Sequence, residues 1–434
     1  MDQVVSLIRD TKEADLDTLK KTLESVLEKI RGNTHGVTNA LGQLDPSKHS
    51  MGMVYLLYAK SQSRDVDPSF LNNVEFFLAN LHGKHTQKAA SRFVQVCHIY
   101  TEICRDNALY SRGIKALTTG LQRFRPSNDF LTPLHADVLC LCLKAKNYKA
   151  GFNLIENKIF DIDPNATGLT PKDMLLYFYY GGMIYIGLKH YQKALGFFET
   201  ALTVPAFALN AIMVEVYKKY MLVSLLVHGK HTGLPKHAMN IVQKHMKTLC
   251  SQYYEFATVF GSGNIDNVDK VKKSFEDNEE TFKSDNNLGL ARQCMQALAK
   301  RNIQKLTATY MTLSLADIAK NAGLNNAAAT EKVLLRMIEN GEINAVIDQK
   351  GGMVSFGEEV QAFDSPQTSV ILETRIDQSI SLANRLKNID EDITSSNNYI
   401  ARQLGVREEA YSDFERGPSS NRGGGIRRMF EYFR

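Results

Sequence analysis

From the start of the chain to about residue 305, apolar positions recur at threes and fours, with hardly a trace of the alternation that marks a strand. Leu16, Leu19, Leu23, Val26 and Ile30 form one stripe of an amphipathic helix that Gly32 ends. Short breaks then recur at 44–50, 64–69, 82–85, 125–129, 161–171 and 228–235. Each contains Pro, Gly, Asn or Asp, whose backbone preferences favour turns. Helices of this length joined by such breaks predict helical hairpins stacked into a solenoid.

One stretch sharpens the reading. Phe178, Gly182, Tyr185, Ala194, Phe198 and Ala201 fall in register with the tetratricopeptide (TPR) pattern, and Pro205 comes one residue early. The small residues Gly182 and Ala194 let two helices approach, and the three aromatic rings fill the hairpin. Upstream, Asn147–Gly151 echoes His190–Ala194, although the rest of that repeat is degenerate.

The period changes after Tyr310. Ser314 caps a helix with Asp317 closing the capping box, and Gly323 ends it. A second helix buries Val333, Leu334, Met337 and Ile338 and stops at Gly341. Ile343, Ala345 and Ile347 then alternate on one strand face, 349–352 turns, and Met353, Val354 and Phe356 return. Helix, turn, helix, strand, hairpin, strand predicts a winged helix with a two-stranded wing. Beyond Pro366 a helix is expected to run to about Leu404. Its apolar positions Leu372, Ile376, Ile380, Ala383, Leu386, Ile389 and Ile393 have the mean spacing of a helix seam that faces a partner helix in a bundle. The Gly-, Ser- and Arg-rich tail after it is expected to be disordered.

The expected fold class is therefore mainly α. A TPR-like helical-repeat solenoid spans 1–200, and a second domain spans 201–365 with its winged helix at about 306–357. A bundle helix at 366–404 and a disordered tail at 405–434 complete the chain.

Charge bears on the function class. The 52 cationic residues are interleaved with 47 anionic ones, for a net charge of only +5, a balance that favours protein partners. Within the winged helix Lys320, Lys332, Arg336 and Lys350 face Asp317, Glu331, Glu339, Glu342 and Asp348. Duplex binding gains most of its free energy by neutralising several phosphates, so nucleic acid is an unfavoured partner for this module. The wing's open edge suits a partner's strand, with Ile343, Ala345, Ile347, Met353, Val354 and Phe356 as candidate contacts. An N-terminus without a secretory pattern and six scattered cysteines point to reduced thiols in an intracellular protein. The uncharged run Met174–Leu188 is too short for a membrane span of about 20 residues. Searches for HExxH, GxSxG and phosphate-loop patterns find none. The pairs His82/His85 and His228/His231 lack the accompanying ligands of a zinc site. Neither an enzyme nor a cofactor is expected.

Helical hairpins leading into a winged helix and one further helix resemble the PCI-domain proteins of the proteasome lid, the COP9 signalosome and a translation initiation factor. The stretches 177–202, 216–230, 285–294, 302–319 and 337–356, with 135–146 and 385–394, resemble the family of third subunits of the COP9 signalosome. That resemblance implies a non-catalytic scaffold in an assembly that removes Nedd8 from cullins and so regulates cullin–RING ubiquitin ligases. It implies other PCI and MPN subunits as partners, and cullin–RING ligases as indirect ones. The zinc isopeptidase would lie in another subunit, and this chain lacks the His-x-His motif of such a site. Winged-helix edges and C-terminal helices associate in the family, which maps those roles onto Ile343–Phe356 and Leu372–Ile393. The resemblance further implies residence in cytoplasm and nucleus. A scaffold of the proteasome lid, and then a nucleic-acid-binding regulator, are the alternatives.

Overall fold

The computed structural model describes residues 2–400 except 12–14, 32–33, 63–67, 206–207, 262–267, 358–365 and the single positions 158, 237, 325 and 398. The expected tail at 405–434 and the last residues of the expected bundle helix lie outside the described residues.

Among the described residues the chain is mainly helical. The first helices are α1 (Asp2–Asp10), α2 (Leu16–Arg31), α3 (Thr34–Gln43), α4 (Ser50–Ser61), α5 (Pro68–Asn80) and α6 (Gly83–Lys88). Then come α7 (Ala90–Asp106), α8 (Tyr110–Phe124), α9 (Pro133–Lys144), α10 (Tyr148–Ile155), α11 (Pro164–Thr167) and α12 (Pro171–Gly187). They continue as α13 (Tyr191–Thr203), α14 (Ala211–His228), α15 (Asn240–Leu249), α16 (Ser251–Gly261), α17 (Val268–Asp277), α18 (Glu279–Ser284) and α19 (Leu288–Thr307). The last part holds β1 (Thr312–Ser314), α20 (Leu315–Ala322), α21 (Ala327–Glu339), β2 (Ala345–Asp348), β3 (Met353–Phe356) and α22 (Pro366–Thr394). The described residues divide into two compact units, one of 2–305 with Ile318–Ala329, and one of Leu306–Asp317 with 330–400.

The first unit is the expected array of hairpins. Helix α8 packs on α9, α9 on α12, α12 on α13, α13 on α14, and α14 on α16, so each hairpin covers the apolar face of the one before it. The TPR-like positions behave as their sizes require: Tyr185, Ala194, Phe198 and Ala201 are buried, and Gly182 sits directly under the Phe198 ring. With no tryptophan in the chain, tyrosines fill much of the interior and send their hydroxyls to carboxylates at its margin. Tyr100 donates to Glu75 over 2.9 Å and Tyr253 to Asp285 over 2.8 Å. Such pairing removes the cost of burying an unsatisfied hydroxyl.

Four hairpin turns share one backbone solution that the sequence pattern conceals. Ala108, Lys146, Lys189 and Asn286 all adopt left-handed φ of 55–62°. Each lies between two N–H groups that reach back to the preceding helix; for Lys189 they are Lys189 N to Ile186 O and His190 N to Tyr185 O. This double closure satisfies the last carbonyls of the helix. Glycine would mark such a position in sequence, and here none of the four is glycine. The echo between Asn147 and His190 thus reflects two equivalent turns, after Lys146 and Lys189.

In the second unit the expected two-stranded wing is a three-stranded antiparallel sheet in the order β1-β3-β2. Leu313 pairs with Val354, and Ile347 pairs with Val354 from the other side. The strand β1 is three residues long, below the length at which alternation is readable. Ser314, its last residue, also caps α20 as expected: its Oγ accepts from Asp317 N over 3.1 Å and donates to the Asp317 carboxylate over 2.6 Å. The 349–352 turn closes the β2–β3 hairpin, with Lys350 N donating to Asp348.

Helix α22 begins at Pro366, whose missing N–H costs nothing in a first turn, and runs to Thr394; a break at Ser395 and Ser396 follows before the chain is helical again at Asn397, Tyr399 and Ile400. The stop lies in Thr394, Ser395 and Ser396. The Thr394 hydroxyl donates back to Asp390 O and the Ser396 hydroxyl to Ile393 O, while Ser396 Oγ accepts from Tyr399 N. Short hydroxyl side chains that bond their own backbone in this way compete with helix propagation.

Candidate docking surfaces

Strand alternation sorts the expected wing contacts into two groups. Ile343, Ala345 and Val354 are buried within the chain, so these three are not exposed docking residues as expected. Ile347 and Phe356 are half-buried. Met353 is 40% exposed, and Val346, on the same face of the sheet and away from Ala345 and Val354, is 71% exposed. Sequence reading passed over Val346 because it followed only the inward set. Of the two wing strands β3 offers no open edge, since it is the central strand and both of its sides are paired. The unpaired edge among the described strands on this side belongs to β2, and Val346 sits in its middle.

The second surface is α22. Leu372, Ile376, Ile380, Leu386, Ile389 and Ile393 are all exposed, at up to 66% for Leu386, and Ala383 is exposed with them. Val370, Ile371 and Leu382 broaden the stripe. At about 1.5 Å per residue the helix presents an apolar face about 40 Å long. Continuous exposed apolar surface of that extent marks an interaction site. The exposed Lys387–Glu391 pair at 3.8 Å flanks the stripe and adds little stability itself.

Titratable groups are buried elsewhere, in roles that hold helices together. His98 on α7 lies between two carboxylates, with Nδ1 2.9 Å from Asp137 on α9 and Nε2 3.5 Å from Asp173 on α12. Burial works against a charged ring, but the Asp137 and Asp173 carboxylates outweigh it and hold the His98 pKa above its ordinary value. Asp173 also accepts from the Thr170 hydroxyl over 2.7 Å and so caps α12. These three residues lie on separate helices with no shared motif, so no sequence pattern announces them. A second cluster joins Lys218 to Glu215 at 2.7 Å and to Asp285 at 2.9 Å. Its charge is disfavoured by burial and favoured more by the two carboxylates, which raises the Lys218 pKa. Buried thiols are pushed up by desolvation, Cys142 and Cys250 to about 11, the opposite of a reactive nucleophile. The His82 and His85 rings meet at a tilt of 44°, 4.2 Å between centroids. Among the described residues no group of three or more His, Cys, Asp or Glu is arranged to hold a metal ion, and no helix is long and apolar enough to cross a membrane.

Comparison with known proteins agrees with this architecture. The signature of the N-terminal helical repeats of COP9 signalosome complex subunit 3 matches residues 13–242, and the PCI domain signature matches residues 275–358. A COP9 signalosome complex subunit 3 of Drosophila melanogaster is 33% identical over 410 residues, 90% of this chain and 91% of that protein. Its namesake from Dictyostelium discoideum is 36% identical over 401 residues, 92% of this chain and 94% of that protein. Helical repeats matched over half of the chain, a PCI domain after them and near full-length identity above 30% place the chain in the COP9 signalosome subunit 3 family.

Proposed function

We propose that the protein is a non-catalytic scaffold of the signalosome, supporting removal of Nedd8 from cullins and through it the control of cullin–RING ubiquitin ligases. The observation that carries the reading is the bare apolar stripe of α22, which has no cover within the described residues and the spacing of a bundle seam. Its partners are other PCI and MPN subunits, which meet this chain along α22 and along the open β2 edge at Val346. Cullin–RING ligases are reached through the assembly, in both cytoplasm and nucleus. The buried titratable side chains support structure in place of bond-making: Asp173 and Asp137 flank His98, Glu215 and Asp285 hold Lys218, and the Cys142 and Cys250 thiols are desolvated.

Affinity purification with mass spectrometry tests this directly. The tagged chain should recover PCI and MPN subunits together with cullins, from nuclear as well as cytoplasmic extract. Recovery of proteasome base subunits in their place would assign the scaffold to the lid. Nedd8 release by the isolated chain would refute the non-catalytic role.

A further inference from the structure

The stretch 216–254 holds six lysines and four histidines and no acidic residue at all. Lys218 and Lys219 are engaged with Glu215. The other four, Lys230, Lys236, Lys244 and Lys247, are exposed, and among the described residues none forms an ion pair.

Tyr254 joins the two segments that carry these lysines. Its ring lies 5.4 Å from Lys247 Nζ and 5.9 Å from the His231 ring, so the loop leaving α14 and the C-terminal half of α15 share one surface. Lys230 backs onto Gly261 at the end of α16, and Gln243 of α15 donates to the Lys236 carbonyl over 3.4 Å. Arg301 closes the other side against Gly229, donating to Leu226 O over 2.7 Å. No carboxylate meets it, and burial lowers its pKa. Glu255 follows Tyr254, and Glu199 meets Tyr220 beside Thr232 of the loop; among the described residues no ion pair ties either carboxylate to these lysines.

We infer that this surface, formed by the loop after α14 and by α15, docks an acidic peptide segment of a partner protein. Four unpaired ammonium groups repel one another unless anions are brought among them. The exposed Leu249 stands at the end of α15, and a mixture of apolar and charged contacts is the make-up of a protein interface. A single-stranded nucleic acid would use free aromatic faces for its bases, whereas the Tyr254 ring is already occupied by Lys247 and His231. An acidic peptide needs only the ammonium groups and the leucine. This docking surface is separate from α22 and from the β2 edge, so it adds a third contact to the proposed scaffold.

The test is fluorescence anisotropy on the full chain with a fluorescein-labelled oligoglutamate peptide, titrated at low and at physiological salt. Binding should weaken as salt rises. The variant K230E/K244E/K247E should lose affinity on the order of tenfold. The neutral variant K230Q/K244Q/K247Q should lose less, and each variant's melting temperature reports its folding. A control with equal net charge, K21E/K144E/K149E, should bind as the parent does. Equal loss in the control would overturn the proposal in favour of net charge alone. So would absence of peptide binding by the parent, or tighter binding of oligothymidylate than of oligoglutamate.

Discussion

The Phe198 ring of α13 lies against the Cα of Gly182 on α12, so close that a methyl group added at Gly182 would come 2.4 Å from the ring edge. Both residues are buried where the two helices of the TPR-like hairpin cross. Gly182→Ala should therefore destabilise the protein by about 1–3 kcal/mol through overpacking. The helix propensity of alanine offsets that by up to about 1 kcal/mol. Thermal melts decide between the two effects, since a raised melting temperature would mean that the helices are not in this contact. Adding Phe198→Leu to Gly182→Ala should recover part of the loss, a coupling that distant pairs do not show.

The left-handed turns make the opposite prediction. Lys146 and Lys189 sit at φ of 56° and 62°, where a side chain costs about 1–2 kcal/mol. Replacing either with Gly removes that strain, less the extra entropy of a freer unfolded chain. Each substitution should stabilise the protein by about 0.5–1 kcal/mol in chemical denaturation, with no change in the unfolding slope. No gain at either site would mean that the turns are not strained.

Charge in the α22 stripe should separate folding from assembly. Ile380 and Leu386 are 55% and 66% exposed, so Ile380→Asp and Leu386→Asp should leave the unfolding free energy of the isolated chain unchanged within about 0.5 kcal/mol. In the assembly the same carboxylate meets an apolar seam, at a cost of several kcal/mol if it is buried unpaired. Co-purified subunits should fall away in both variants. Retention of the full set of partners would show that the stripe is not the seam.

His98 gives a pH dependence of defined sign. Its folded pKa is raised above the ordinary value of about 6.5, so its contribution to stability is fully present below that value. The contribution is lost as pH rises through the folded pKa. Lys172 opposes the shift weakly. His135, pushed down to about 4 by burial, has the reverse dependence, destabilising as pH falls below about 6.5. Comparing denaturant midpoints of the parent and His98→Gln between pH 5 and 8 isolates the first effect. The difference between the two proteins should shrink as pH rises, and a constant difference would remove His98 as its source.

Much of the fold was readable because periodicity reports which face of an element meets a core. The stripe Leu16–Ile30, the small and aromatic positions from Phe178 to Ala201, and the Ser314–Asp317 cap all carry local signals that the structure realises. The candidate surfaces were readable only in part. Alternation places Ile343, Ala345 and Ile347 on one strand face but does not say whether that face meets the unit's own interior or a partner. In the folded chain Ile343 and Ala345 are buried and Ile347 is half-buried, and the outward residue is Val346.

The sequence by itself determined the helical class, the order of elements, the caps and the apolar seam of α22, because each follows from residues a few positions apart. Only tertiary structure decided that β1 closes one side of β3, that Lys146 and Lys189 bend equivalent turns, and that His98 bridges Asp137 and Asp173. It likewise brought the loop after α14 against Tyr254, beside Lys247 of α15. These relations join residues far apart in the chain or rest on backbone angles that no side-chain type announces, so packing had to choose them.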